Sequence, residues 1–212
     1  MIFLIVLTII LFSVIIHECA HGWVAERYGD PTARLSGRLT LNPLPHIDPI
    51  GTLLLPAILF WLNLKGIPVI IFGWAKPVPV NFRNLRNPKE DMMKVGAAGP
   101  LSNILLVLFA VMILKVAKVS PYSLLGQIIG FGAFINLILA TFNLIPIPPL
   151  DGSRIVMGVL PPRMAYNYSR LEPYGIFIII GALLVLPGLL GSLFKLIIDI
   201  CKLLGIYLPF FK

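Results

Sequence analysis

The sequence predicts an all-α polytopic membrane protein, a helical bundle with a membrane-embedded re-entrant hairpin or short β segment. Three observations carry that reading. Of 212 residues, 58% are apolar and only 12% charged, whereas a soluble domain carries about 25% charged residues to cover its water-facing surface. The same composition excludes disorder, and two cysteines exclude a disulfide scaffold. Apolar runs long enough to cross a hydrocarbon core of about 30 Å recur along the chain. The net charge of +8 comes from 17 Lys/Arg against 9 Asp/Glu, and the basic residues sit between the apolar runs. That is the pattern that orients a membrane protein, not a stripe that binds nucleic acid. The lipid bilayer is the expected partner, through anionic headgroups, and nucleic acid is not.

The elements follow in order within a single domain, 1–212. Residues 1–23 form a first span, retained because it lacks a basic leading region and a small-residue cleavage site. Residues 27–49 are polar and rich in turn formers. Residues 50–64 are apolar but short, and Lys65-Gly66 follows; Ile67 to Phe72 reads as a strand whose Pro68 demotes it to an edge. Together 50–72 are the expected re-entrant segment. Lys76 to Lys94 reads as a basic loop. Spans at 95–119 and 122–145 are separated by Ser120-Pro121, and the second ends at Pro146, Pro148 and Pro149. A loop is expected from Asp151 to Glu172, then a span at 173–187 ending in Pro187-Gly188. In 189–206, Leu190, Leu193, Phe194, Ile197, Ile198, Cys201 and Leu204 recur at helical spacing opposite Lys195, Asp199 and Lys202. That segment is an amphipathic helix lying in the interface or packed on the bundle.

The sharpest feature is His17-Glu18-Cys19-Ala20-His21 inside the first apolar run. At about 100° per residue, His17 and His21 share one helix face, one turn apart. Two imidazoles so placed can bind one Zn²⁺ at roughly 2.0–2.1 Å, with Glu18 beside them to accept a proton from water. Ionisable groups inside a lipid-spanning helix cost several kcal/mol unless paired or liganded; a hydrogen-bonded histidine pair without metal is the alternative. A catalytic zinc normally has three protein ligands. Asp151 is the outstanding third candidate, because it directly follows an apolar helix while the other acids lie in basic loops, near ends or in the amphipathic tail. It could also cap the next helix or pair with Arg154.

These residues resemble a known family. His17-Glu18-x-x-His21, then Gly96-x-x-Gly99-Pro100-x-x-Asn103, then Asn143-x-x-Pro146-x-x-x-Leu150-Asp151-Gly152 are similar to the three motifs of the site-2 proteases, intramembrane zinc metalloproteases. The segment Phe72 to Asn81 resembles the compact, multi-span bacterial branch, here without a PDZ or CBS domain. The resemblance implies one Zn²⁺ per chain held by His17, His21 and Asp151, with Glu18 as catalytic base. It also implies that Asn143 and Asn103 place substrate, as oxyanion donors. The implied reaction is hydrolysis of peptide bonds in transmembrane protein substrates, as in regulated intramembrane proteolysis, and the implied location a bacterial cell membrane. A rival class is a membrane metal-ion transporter using the same His/Glu cluster. Transport needs ligands spread along a path; here one compact cluster remains beside His46, which reads as an interfacial residue.

Ligand chemistry also predicts topology. If 50–64 crossed fully, Asp151 would emerge opposite His17, and no shared metal would form. With a hairpin turning at Lys65-Gly66, eleven Lys/Arg fall on the side of the metal and only Lys65, Lys115 and Lys118 opposite. The positive-inside rule makes the basic side, with the active site, cytoplasmic. A helical substrate hides its carbonyls and must unwind; an edge strand within 67–80 could hold it extended by strand addition. Pro77 and Pro79 lack donors, which would leave one edge usable.

Overall fold

The computed structural model describes residues 2–69, 73–185 and 187–207. The first apolar run forms one helix, α1 (Ile2–Arg27), about 39 Å long at 1.5 Å per residue. A single turn, α2 (Thr32–Leu35), follows it. The carboxylate of Asp48 then caps a π-helical stretch, Pro49–Leu54, by accepting the N–H groups of Ile50 and Gly51, and α3 (Leu55–Leu64) continues the same apolar rod. The rod stops at Lys65-Gly66, where Gly66 takes a φ of 83° that a side chain would resist. By Trp74 the chain is back at the rod's start: the Trp74 N–H donates to the Gly51 carbonyl at 3.1 Å, and Thr52 Oγ1 donates to the Trp74 carbonyl at 2.8 Å.

No strand occurs among the described residues. Of the strand expected at 67–72, Ile67–Val69 are irregular and 70–72 lie outside the described residues. Pro68 offers no donor for a ladder.

Helix α4 (Pro88–Val116) begins inside the stretch read as a basic loop. Pro88 stands at the first helical position, Glu90 and Asp91 occupy the first turn, and Asp91 accepts the Asn87 N–H at 2.8 Å, so local start signals extend the helix beyond its apolar part. Helix α5 (Leu124–Asn143) starts where Ser123 Oγ accepts the Gly126 N–H at 3.1 Å.

The region read as a loop after Asp151 is instead two short helices, α6 (Asp151–Val159) and α7 (Pro162–Ser169). The buried face of α6 is Gly152, Ser153 and Met157; two of these are too small to register as an apolar stripe, which hid the helix. Helices α8 (Gly175–Val185) and α9 (Pro187–Leu204) end the described chain.

Helix α4 is the centre of the assembly, packed against α1, α5 and α6. Ile197 and Cys201 of α9 are fully buried with Val107 and Val111 of α4 and Ala133, Phe134 and Leu137 of α5. The amphipathic helix is therefore packed on the bundle. Among the described residues, three helices are long and apolar enough to cross a membrane: α1 from Leu4, α4 and α5. Leu101, Leu105, Leu108 and Met112 of α4 face outward, as lipid requires. The stretch expected as a fourth span, 173–187, holds α8, whose 11 residues reach about 16 Å.

Candidate metal centre

Two elements bring three side chains to one point. His17 and His21, one turn apart on α1, turn their Nε2 atoms toward each other at 3.1 Å. Asp151, the first residue of α6, sets Oδ2 3.1 Å from His17 Nε2 and 3.2 Å from His21 Nε2. A tetrahedral ion with ligands at about 2.0–2.1 Å spaces them roughly 3.3–3.4 Å apart, so the triangle is close to the size zinc needs.

The donor chemistry fits as well. His17 Nδ1 faces Asn103 Oδ1 at 2.5 Å, and His21 Nδ1 faces the Val95 carbonyl at 2.7 Å. Both Nδ1 atoms therefore carry the proton and both Nε2 lone pairs are bare. Asp151 turns a carboxylate oxygen toward both of them. Its buried Oδ2 has no hydrogen-bond donor. Two lone pairs and a carboxylate oxygen at this spacing repel unless a cation sits among them. This is the one group of three or more potential metal-binding side chains found among the described residues.

Space for that cation comes from α4. A Cβ on Gly99 would stand 2.3 Å from His21 Nε2 and 2.5 Å from His17 Nε2. One turn earlier, a Cβ on Gly96 would meet Arg154 Cβ at 2.7 Å and the Asp151 carbonyl at 3.2 Å. The motif glycines thus admit the imidazoles and α6 to the same helix face.

Glu18 lies beside this point in a cleft of about 250 Å³, with His21, Asp151, Arg154, Val78 and Pro149 among its walls. Its Oε2 accepts the backbone N–H of Val78 at 2.9 Å. Val78 belongs to the segment that returns from the hairpin, and this partner had no signal in the sequence. The donors at 74, 76 and 78 are spent internally, on Gly51, His46 and Glu18, while Pro77 and Pro79 have none. The edge expected to hold an extended substrate therefore offers no free donor at any of these positions.

Two expected substrate donors sit differently. Asn103 is fully buried behind His17, with its amide nitrogen on Asn136 Oδ1 at 2.7 Å. Asn143, at the end of α5, donates to the Leu139 carbonyl of its own helix at 3.0 Å. Asn136, which none of the sequence motifs includes, is the site neighbour that sequence reasoning missed; a polar side chain in an apolar span was the signal. His46, expected at an interface, is fully buried and directs Nε2 to the Thr40 carbonyl at 2.9 Å. Cys19 turns to the same carbonyl at 3.2 Å, on the far side of α1 from the imidazoles.

Comparison with known proteins agrees with this chemistry. Residues 111–186 match the model of peptidase family M50. The chain is 38% identical over 197 residues to YwhC of Bacillus subtilis, named as a candidate zinc metalloprotease, covering 90% of this chain and 82% of that one. It is 29% identical over 196 residues to Rip2 of Mycolicibacterium smegmatis, named likewise, covering 92% and 72%. It is also 29% identical over 193 residues to zinc metalloprotease MJ0392 of Methanocaldococcus jannaschii, covering 90% and 44%. No solved structure matches. An 82% overlap with a relative at 38% identity leaves no doubt of kinship: the chain belongs to peptidase family M50, the site-2 proteases, and is a zinc-dependent peptidase of the membrane.

Proposed function

We propose that the chain hydrolyses peptide bonds of transmembrane protein substrates within or near the bilayer, in regulated intramembrane proteolysis, with the active site near the cytoplasmic face of a bacterial cell membrane. The observation that carries this reading is the meeting of His17 Nε2, His21 Nε2 and Asp151 Oδ2 at 3.1–3.2 Å beside Glu18. His17, His21 and Asp151 hold the Zn²⁺, which when bound supplies Lewis acidity that acidifies water and polarises a peptide carbonyl.

The chain's own groups do the rest. Val78 N–H holds Glu18 Oε2, which leaves Oε1 to take a proton from the attacking water. As the water oxygen bonds to the carbonyl carbon and the C–N bond breaks, Glu18 returns that proton to the departing amide nitrogen. Asp151 offsets part of the ion's charge, so the site is not an uncompensated dication in an apolar surrounding. Val78, Pro149 and Phe82 line the cleft, and a helical substrate, whose carbonyls are held in its own hydrogen bonds, must unwind there to present one. Asn143, at the end of α5, must release the Leu139 carbonyl before its amide can turn toward an entering carbonyl.

The test is zinc analysis together with cleavage of a transmembrane peptide by purified protein. Glu18→Gln should keep about one zinc per chain and lose cleavage, while His17→Ala, His21→Ala and Asp151→Asn should lose zinc and cleavage together. Cleavage at the wild-type rate by Glu18→Gln would refute the assignment.

A further inference from the structure

Resting on the assignment of His17, His21 and Asp151 as zinc ligands, we propose that Asn136 is a positioning residue that fixes the tautomer of His17 through Asn103. A neutral imidazole binds a metal through whichever nitrogen lacks the proton. For His21 the choice is made locally, because its Nδ1 faces the Val95 carbonyl, which can only accept. His17 has no such neighbour. Its Nδ1 faces the side-chain amide of Asn103 at 2.5 Å, and an amide can turn either its oxygen or its NH₂ toward the ring. With the NH₂ turned inward, the proton would reside on Nε2 and the ring would aim a donor at the metal position.

The next bond prevents that turn. Asn103 Nδ2 donates to Asn136 Oδ1 at 2.7 Å. Asn136 is itself anchored, since its Nδ2 donates to the Gly132 carbonyl at 2.8 Å and to Ser13 Oγ at 2.9 Å. A backbone carbonyl has no proton to give, so Asn136 must present its oxygen to Asn103, and Asn103 its oxygen to His17. The three donations run head to tail from the ring to Gly132, across α1, α4 and α5. Ser13, His17, Asn103 and Asn136 are all at most 6% exposed, so no solvent competes for these groups.

Metal affinity reads this device without recourse to catalysis. Zinc retained by the whole chain in detergent is measured against a graded chelator, with unfolding followed in parallel. Asn136→Leu matches the volume but frees Asn103 to turn, and zinc should bind about 10- to 100-fold more weakly, the usual effect of losing an outer partner. Adding Asn103→Asp should restore affinity to within a few fold, because a carboxylate offers His17 Nδ1 an oxygen whichever way it is turned. Wild-type affinity in Asn136→Leu overturns the proposal, as does a double variant no tighter than the single one, the result expected if Asn136 merely packs. Should Asn136→Leu not fold, nitrogen-15 shifts of His17 in the wild-type protein decide: a proton on Nδ1 is expected, and one on Nε2 overturns it. The ligand assignment fails separately, if His17→Ala keeps zinc at wild-type strength.

Discussion

The backbone N–H of Val78 donates to Glu18 Oε2 across 2.9 Å, joining two residues 60 positions apart. Val78 is 6% exposed, and its side chain is seated where a Cβ on Gly22 would meet it at 2.8 Å. The seat and the hydrogen bond can be separated. Val78→Pro removes the donor while keeping an apolar ring at the seat, and should keep zinc while kcat falls about tenfold or more, the scale of a hydrogen bond to a charged group. Val78→Ala keeps the donor and empties the seat, so it should lower stability by about 1–3 kcal/mol with kcat little changed. Equal kcat in the two variants would remove the amide from the mechanism.

Gly99 predicts a case in which stability and function part. Gly99→Ala improves helix propensity by about 1 kcal/mol, yet its Cβ would crowd both Nε2 atoms, at 2.3 and 2.5 Å. The purified variant should contain well under one zinc per chain and should not cleave, while its zinc-free form unfolds no earlier than that of the wild type. Full zinc occupancy would show that α4 can retreat.

The hairpin gives a topological prediction. Its two legs meet at Gly51 and Trp74, which supports a rod that returns to its starting side. In a chain whose Cys19 and Cys201 are replaced by serine, single cysteines at the exposed positions Asn42, Arg83 and Asn167 should label from the cytoplasmic side, and one at Ser120 from the other. Labelling of Asn42 and Arg83 from opposite sides would exclude the hairpin.

Asp30 predicts an acid dependence of stability. Burial raises its carboxyl, but hydrogen bonds from Thr32, Asn84 and Asn81 outweigh that and hold it below the ordinary carboxylate value. A depressed native pKa stabilises the fold above the unfolded value of about 3.9 and is lost as pH falls through the native one. The gap in unfolding temperature between wild type and Asp30→Asn should be widest near pH 7 and should close on acidification below about pH 4. A gap that is constant with pH would mean that charge at Asp30 is immaterial.

The sequence by itself determined what the helical period and composition dictate. Apolar runs of spanning length became α1, α4 and α5. His17 and His21 face one point because four residues make about one turn, whatever surrounds them. Asp151 stood out because an acid directly after an apolar helix has few other uses, and it does meet the imidazoles. Tertiary structure decided everything that depends on which faces meet. Helix α6 packs through Gly152 and Ser153, residues without the apolar bulk that marks a buried face in a sequence. The match of Gly99 to the two imidazoles, the reach of Val78 to Glu18 and the alignment of Asn136 behind Asn103 join residues 33 to 82 positions apart. No local periodicity encodes such pairs. They arise when segments distant in the chain, each stable only through packing, close on one another and bring buried polar groups to partners that local sequence does not specify.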